Sequence, residues 1–203
     1  GRYAFSGCSN LANIEIPDNV TSIDTGAFRN CSGLTSVRIP SGVTSISSYA
    51  FGYCGGLTSV TIQSSVTSIN AGAFRSCSSL TSITIPNNVT SIGNYAFDGC
   101  SGFTSVTIPD SVTSIGTNAF SACRNLASIN IPSGVTTINA YVFRGCLRLL
   151  SITIPSGVTS IGDEAFYVCR SLTSITVNAT TPPALGSDAF VDTNNCPIYV
   201  PAE

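Results

Sequence analysis

The chain has 203 residues, 43% of them hydrophobic and 9% charged, and its eight basic residues, all arginine, stand against ten acidic ones for a net charge of −2. That balance gives no reason to expect nucleic acid or an anionic membrane as a partner. No apolar run approaches the roughly 18 residues of a membrane-spanning helix, so we predict that this fragment does not span a membrane.

Phenylalanine and cysteine each recur every 23 residues, from Phe5 to Phe166 and from Cys8 to Cys169. A fixed period of this size means that each repeat buries its apolar face against its neighbours in an elongated solenoid. The repeat runs through nearly the whole chain without a linker, so we predict a single domain over residues 1–203, with 178–203 as a divergent C-terminal cap. The chain has no Met and opens partway through a repeat, from which we expect a processed or truncated piece.

Each repeat begins with a predicted strand. Val37 and Ile39 alternate with polar residues, the pattern of a half-buried strand, and Pro40 ends it because proline lacks a ladder donor. Nine such strands are expected, at Ile14, Val37, Val60, Ile83, Val106, Ile129, Ile152, Ile175 and Ile198.

A turn, a second short strand and a short helix are predicted to complete the repeat. Val43 and Ile46 form the second apolar pair, and Ser47 follows where other repeats have Asp, Asn or Gly. All of these residues cap helix N-termini, so a short helix carrying Phe51 is expected to begin there. The sequence therefore predicts an α/β repeat solenoid of about nine 23-residue coils.

The segment from Leu80 to Cys100 (LTSITIPNNVTSIGNYAFDGC) resembles the BspA-type leucine-rich repeat of bacterial cell-surface proteins. The resemblance is strong over about residues 1–177 and implies a right-handed leucine-rich-repeat superhelix. It also implies an extracellular or cell-surface protein that adheres to a protein or glycan ligand, such as host matrix protein, another cell or polysaccharide. It supplies no catalytic residues. The alternative is a spacer or stalk that displays another domain.

Eight of the nine cysteines share one repeat position, which predicts a buried column of free thiols rather than disulfides or metal ligands. Cys196 aligns with Thr35 instead and is the odd one out. We therefore expect no more than about one reactive thiol in the native protein. No metal and no cofactor is expected.

An enzyme is disfavoured because the chain has neither His nor Lys to serve as the base for a nucleophile. Asp18 and Asp110 share a repeat position but lie four coils apart, roughly 19 Å at the spacing of parallel strands. That separation is too large for the carboxylate pair of a glycosidase. We therefore predict a protein without catalytic activity.

Two regular surfaces have both a structural and a functional interpretation. Outward strand positions such as Thr84 and Thr107 form a hydroxyl-rich ribbon, which is either a solvated sheet face or a binding surface, and Glu15 is expected to pair with Arg38 across strands. Tyrosines recur every 46 residues and alternate with smaller residues, which indicates either packing or an aromatic track for a ligand. These tyrosines are Tyr3, Tyr49, Tyr95 and Tyr141.

One irregular surface is the main candidate for a site. Leu147 and Leu150 stand where other repeats have polar residues, with arginines at nearby repeat positions. Exposed apolar side chains ringed by arginine are typical of protein interfaces. We name this set the leucine patch and predict that it binds a ligand; its members are Arg124, Leu147, Arg148, Leu150, Tyr167 and Arg170.

Overall fold

The computed structural model describes residues 1–200 as a solenoid of fourteen short strands joined by turns. The predicted cap extends to Glu203, and residues 201–203 lie outside the described residues. In chain order the strands are β1 Ser36–Arg38, β2 Ser45–Ile46, β3 Ser59–Thr61, β4 Ser68–Ile69, β5 Ser91–Ile92, β6 Ser105–Val106, β7 Ser114–Ile115, β8 Ser128–Ile129, β9 Thr137–Ile138, β10 Ser151–Ile154, β11 Ser160–Ile161, β12 Ser174–Val177, β13 Ala184–Leu185 and β14 Ile198–Tyr199.

The strands pair in parallel along two lines of the solenoid. The first strands of the coils pair as β1–β3, β6–β8 and β10–β12–β14, and the second strands pair as β2–β4–β5–β7 and β9–β11–β13. Within β1–β3, Ser36 faces Ser59, a register of one 23-residue repeat. The predicted repeat solenoid is therefore confirmed.

The predicted number of nine coils is not confirmed. Seven of the nine predicted first-strand positions lie within strands, and the other two, Ile14 and Ile83, do not. Next to those two positions the structure has only isolated bridges, Asn13 with Ser36 and Thr84 with Thr107. The regular part of the array has about seven turns.

The core is built from columns of identical residues. Phenylalanine rings of successive coils stack with centroids 5.1–6.0 Å apart and ring planes 1–21° from parallel, from Phe5 to Phe190. Phe103 replaces the usual leucine, is fully buried, and lies 5.8 Å from Phe97 at a tilt of 58°. Each coil thus completes the core of the next coil.

The predicted short helix is wrong: residues 1–200 contain turns where it was expected, and no α-helix. The reason is visible in the backbone hydrogen bonds. The Ala50 amide donates within its own coil, to Ser47 O at 3.1 Å, whereas the Phe51 amide donates to Ala73 O of the next coil at 2.9 Å. Alternate amides are committed to the neighbouring coil, so they cannot bond four residues back as an α-helix requires.

The tyrosine column takes a left-handed backbone and packs over glycine. Tyr49 has φ 56°, and Gly72 at the same position in the next coil has φ 62°. A Cβ atom on Gly72 would lie 2.4 Å from the Tyr49 ring, and one on Gly26 would lie 2.3 Å from the Tyr3 ring. Large residues alternate with small ones because each of these rings occupies the space above its glycine. The packing interpretation is confirmed for these two pairs.

Seven of the cysteines form the expected buried column, from Cys31 to Cys169, and all nine thiols are free. Each buried Sγ donates to the backbone carbonyl of the phenylalanine in the preceding coil, at 3.0–3.3 Å. Burial raises the pKa of the Cys54 and Cys169 thiols to about 12. Cys8 is exposed, so its assignment to the buried column is wrong: its coil has a neighbour on one side only.

The expectation of at most about one reactive thiol therefore becomes two. A titration of the native protein with a thiol reagent should label Cys8 fully and Cys196, which is half-buried, in part. In denaturant without reductant all nine should react. A Cys8→Ala variant is the control and should remove one native equivalent. Three or more rapid native equivalents would contradict the buried column.

The last coil contains one extra residue. Ser160 of β11 faces Ala184 of β13, a shift of 24, whereas Ile175 of β12 faces Ile198 of β14 in the usual register of 23. Thr193 is buried, and Cys196 donates its amide to Thr193 O, as core leucines do to the cysteine of their own coil. Cys196 therefore occupies the leucine position rather than the position of Thr35.

Candidate ligand-binding surface

The strand face carries two shallow polar grooves. One of about 400 Å³ lies at Thr84 and Thr107, and one of about 430 Å³ lies between the coils of Asn130 and Thr153. The second groove forms where the strand ladder is interrupted. The Asn130 side chain accepts from Ile108 N at 2.8 Å and donates to Ile108 O at 2.7 Å. An amide side chain thus replaces backbone pairing at this point in the hydroxyl ribbon.

The predicted ion pair of Glu15 with Arg38 is wrong. Arg38 instead contacts Asp18, with Nη1 2.6 Å from Oδ1, and both side chains are largely exposed. The partner lies in the turn after the preceding strand, which the long arginine side chain reaches. Such an exposed pair contributes little to stability.

A cavity of about 280 Å³ lies at the first coil. It is lined by core positions such as Phe5, Ile14 and Phe28 that recur in every repeat. It is the open end of the core, where no coil packs on the first one. Because its lining repeats along the whole array, it points to no particular ligand.

The leucine patch is partly assembled as predicted. Arg124, Leu147 and Tyr167 line one groove of about 250 Å³ on the turn side of the solenoid. Arg124, Leu147 and Arg170 hold the same repeat position in three successive coils, so an apolar side chain stands between two arginines. Arg144 also lines the groove, and its guanidinium carbon lies 5.5 Å from the centre of the Tyr167 ring.

The other members of the patch lie outside the groove. Arg148, Leu150 and Arg170 are exposed but do not line it. Leu150 is 52% exposed and its backbone carbonyl accepts from Thr173 N at 2.8 Å. The buried neighbour is Leu149. The patch is therefore a groove flanked by a separate exposed leucine rather than one continuous apolar surface.

Charges around the groove are only partly neutralised. Arg144 Nε lies 2.8 Å from Glu164 Oε2, and Arg170 Nη2 lies 3.4 Å from Asp192 Oδ2. Among the described residues Arg124 has no carboxylate within 4.0 Å. The groove thus combines an apolar side chain, an aromatic ring and an unpaired cation.

Sequence reasoning missed a second cluster on the same side of the solenoid. Arg29 and Arg75 both stack on the Tyr53 ring, with guanidinium carbons 5.2 and 5.8 Å from its centre. Arg75 also contacts Asp98, whose pKa is raised by burial although the Arg75 guanidinium opposes the shift. The shared repeat position of Arg29 and Arg75, directly after the core phenylalanine, could have indicated the cluster.

Residues 1–200 offer no group of three His, Cys, Asp or Glu side chains arranged for a metal ion. The same residues include no helix of the length and hydrophobicity needed to cross a bilayer. The carboxylates also stand apart from one another in the grooves described above.

The family model described as the BspA type leucine rich repeat region, in six copies, matches residues 1–101 and 67–196. The chain belongs to the BspA-type leucine-rich repeat family. No curated protein matches this BspA-type chain.

Solved structures of bacterial leucine-rich repeat proteins share the fold. A leucine rich cell surface protein of Faecalibacterium prausnitzii is 33% identical, over 100% of this chain and 69% of that one, with a TM-score of 0.57. A leucine-rich repeat protein of T. pallidum is 32% identical, over 79% and 75% of the two chains, with a TM-score of 0.73. One from Bacteroides ovatus is 27% identical, over 95% and 64%, with a TM-score of 0.61.

Proposed function

We propose that this BspA-type chain is a non-enzymatic adhesion protein that acts outside the cell or on its surface. The family and the cell-surface relative of F. prausnitzii support the location. The ligand is a protein or glycan on a host or bacterial surface. The lack of His and Lys supports a binding role over catalysis.

The observation that carries the proposal is the leucine patch. Leu147 is half-exposed and Leu150 mostly exposed, although the repeat places polar residues at both positions in most other coils. The packing of the array does not require either side chain, and exposed apolar area of this kind gains free energy when a partner covers it. Arginines and a tyrosine beside it are the residue types that dominate binding energy in interfaces.

A double substitution, Leu147→Ser with Leu150→Thr, tests the patch. We expect the free energy of unfolding to change by less than about 1 kcal/mol, because neither side chain belongs to the core. Binding to immobilised host matrix protein, bacterial cells or a glycan array should fall by about tenfold or more. Urea unfolding and binding isotherms measure the two effects.

The matched control uses the same repeat positions two coils earlier, Ser101→Ala with Thr104→Ala, and should leave binding unchanged. A loss of more than about 2 kcal/mol of stability in the leucine variant would place those leucines in the core and remove the patch. The alternative function is a spacer that displays another domain. A spacer predicts full attachment in both variants.

A further inference from the structure

Positive charge is concentrated on one strip of the solenoid. Six of the eight arginines lie within the five residues that follow a core phenylalanine, whereas only two of the ten acidic residues do. The six are Arg29, Arg75, Arg124, Arg144, Arg148 and Arg170. A protein with a net charge of −2 therefore has a basic strip along its turn side, and such a strip attracts anions.

Arg29 is the member of this strip that lacks a charged partner in a half-buried setting. Its guanidinium carbon lies 5.8 Å from the centre of the Tyr49 ring and 5.2 Å from that of Tyr53. Its Nε is buried without a hydrogen-bond partner, and no carboxylate of residues 1–200 lies within 4.0 Å. A buried charged donor without an acceptor is unfavourable, so something outside the described contacts is needed to satisfy it.

Two arginines at the same repeat position provide an internal comparison. Arg75 Nε lies 2.9 Å from Asp98 Oδ2, although not aligned as a hydrogen bond, and Arg144 Nε lies 2.8 Å from Glu164 Oε2. The positions equivalent to those two carboxylates, relative to Arg29, hold uncharged residues, Gly52 and Tyr49. Arg29 thus has the environment of its counterparts without their anions.

The surface between Arg29 and Arg75 is open. Gly52 holds the same repeat position in the coil between them, so no side chain separates the two guanidinium groups. Both groups stack on Tyr53, which is half-exposed, and their guanidinium carbons are no farther apart than the sum of their distances to that ring. A Cβ atom on Gly55 would meet only the Ser78 hydroxyl, at 3.7 Å. A flat aromatic floor between two cations is therefore accessible.

We propose that the Arg29–Tyr53–Arg75 site binds the carboxylate or sulfate groups of an acidic polysaccharide. The guanidinium fork matches such anions, and the tyrosine face offers a flat surface for a sugar ring. An acidic protein ligand fits less well, because between residues 6 and 149 the structure exposes no large apolar side chain that would anchor it. The site is separate from the leucine patch and stands independently of the proposed function.

Polygalacturonate and dextran sulfate serve as carboxylated and sulfated probes, with neutral dextran and poly-glutamate as comparisons. Isothermal titration in 50 and 200 mM salt should give binding to one or both acidic polysaccharides that weakens with salt. Arg29→Gln should weaken it by about tenfold, the usual effect of losing one charged hydrogen bond. Arg29→Lys, which keeps the charge but loses the fork, should lie in between. Tyr53→Leu should also weaken binding.

Arg38→Gln is the matched control, because it removes the same charge from the strand face and should change affinity by less than about twofold. The Leu147→Ser, Leu150→Thr variant should bind the polysaccharides normally, which separates this site from the leucine patch. Equal losses in Arg29→Gln and Arg38→Gln would reduce the effect to net charge and overturn the site. So would binding of neutral dextran as strongly as the acidic chains, preference for poly-glutamate, or no binding at all.

Discussion

Replacing Phe97 with alanine is expected to lower the free energy of unfolding by about 3–5 kcal/mol. Phe97 is fully buried and its ring stacks between Phe74 and Phe120, at 5.7 and 5.3 Å, with Phe103 at 5.8 Å. Truncation would remove contacts on three sides and leave a cavity in the middle of the stack. Urea unfolding at neutral pH with reductant measures the loss.

The same substitution at Phe5 is the control and should cost clearly less. Phe5 is 43% exposed, and Phe28 is its partner in the aromatic stack, at 5.1 Å. In a solenoid each coil is stabilised by its neighbours, so an end coil has less to lose. Equal losses at Phe97 and Phe5 would mean that stability is not built from interfaces between coils.

The periodic features of this fold could be predicted from the sequence because they depend only on residue spacing. Ser36 pairs with Ser59, and the phenylalanine and cysteine columns follow from the same 23-residue register. A repeated apolar residue has no alternative to lying beside its copy in the next coil. For that reason the columns were predictable without any knowledge of the local backbone.

The local backbone after the second strand could not be predicted in the same way. Ser47 and Gly93 suit both a helix cap and a turn, and the choice is made by hydrogen bonds to the next coil, which a local pattern does not encode. Tyr49 adopts φ 56°, a conformation that tyrosine rarely takes, because its ring has space over Gly72. The helix prediction failed because it considered one coil at a time.

The candidate sites were predictable only in part for a similar reason. The substitution of Leu147 for a polar residue is visible in the sequence, but the pairing of Arg144 with Glu164 depends on how long side chains lean between coils. The lack of an anion beside Arg29 is likewise a property of three neighbouring coils. Irregular positions identify a surface, and the structure decides which of its side chains meet.

The second large effect expected is a loss of the fold in alkali, caused by the thiol column. Burial raises the pKa of the Cys54 and Cys169 thiols to about 12 from 9.0, and it raises the pKa of Cys77, Cys100, Cys123 and Cys146 as well. Below pH 9 these thiols are protonated in both the folded and the unfolded chain, so they do not make stability depend on pH. Above pH 9 the unfolded chain loses protons that the folded chain retains, which favours unfolding.

The expected slope is steep because the effect is repeated along the array. Each thiol lowers the free energy of unfolding by up to about 1.4 kcal/mol per pH unit once it is fully ionised in the unfolded chain. Six such thiols would together remove about 8 kcal/mol per pH unit, comparable to the whole stability of an ordinary domain. We therefore expect stability to be nearly constant from pH 6 to 8 and the fold to be lost by about pH 11. Urea unfolding at several pH values, with reductant present, measures this.

Two single variants assign the effect to the buried thiols. Cys100→Ala removes one inaccessible thiol and should reduce the alkaline slope by about one proton, after its own loss of stability at pH 7 is subtracted. Cys8→Ala removes an exposed thiol and should leave the slope unchanged. If the unfolding free energy stayed flat between pH 8 and 10.5, the thiols would be ionising within the folded protein. The buried hydrogen bonds from each Sγ to a phenylalanine carbonyl make that outcome unfavourable, because a thiolate has no proton to donate.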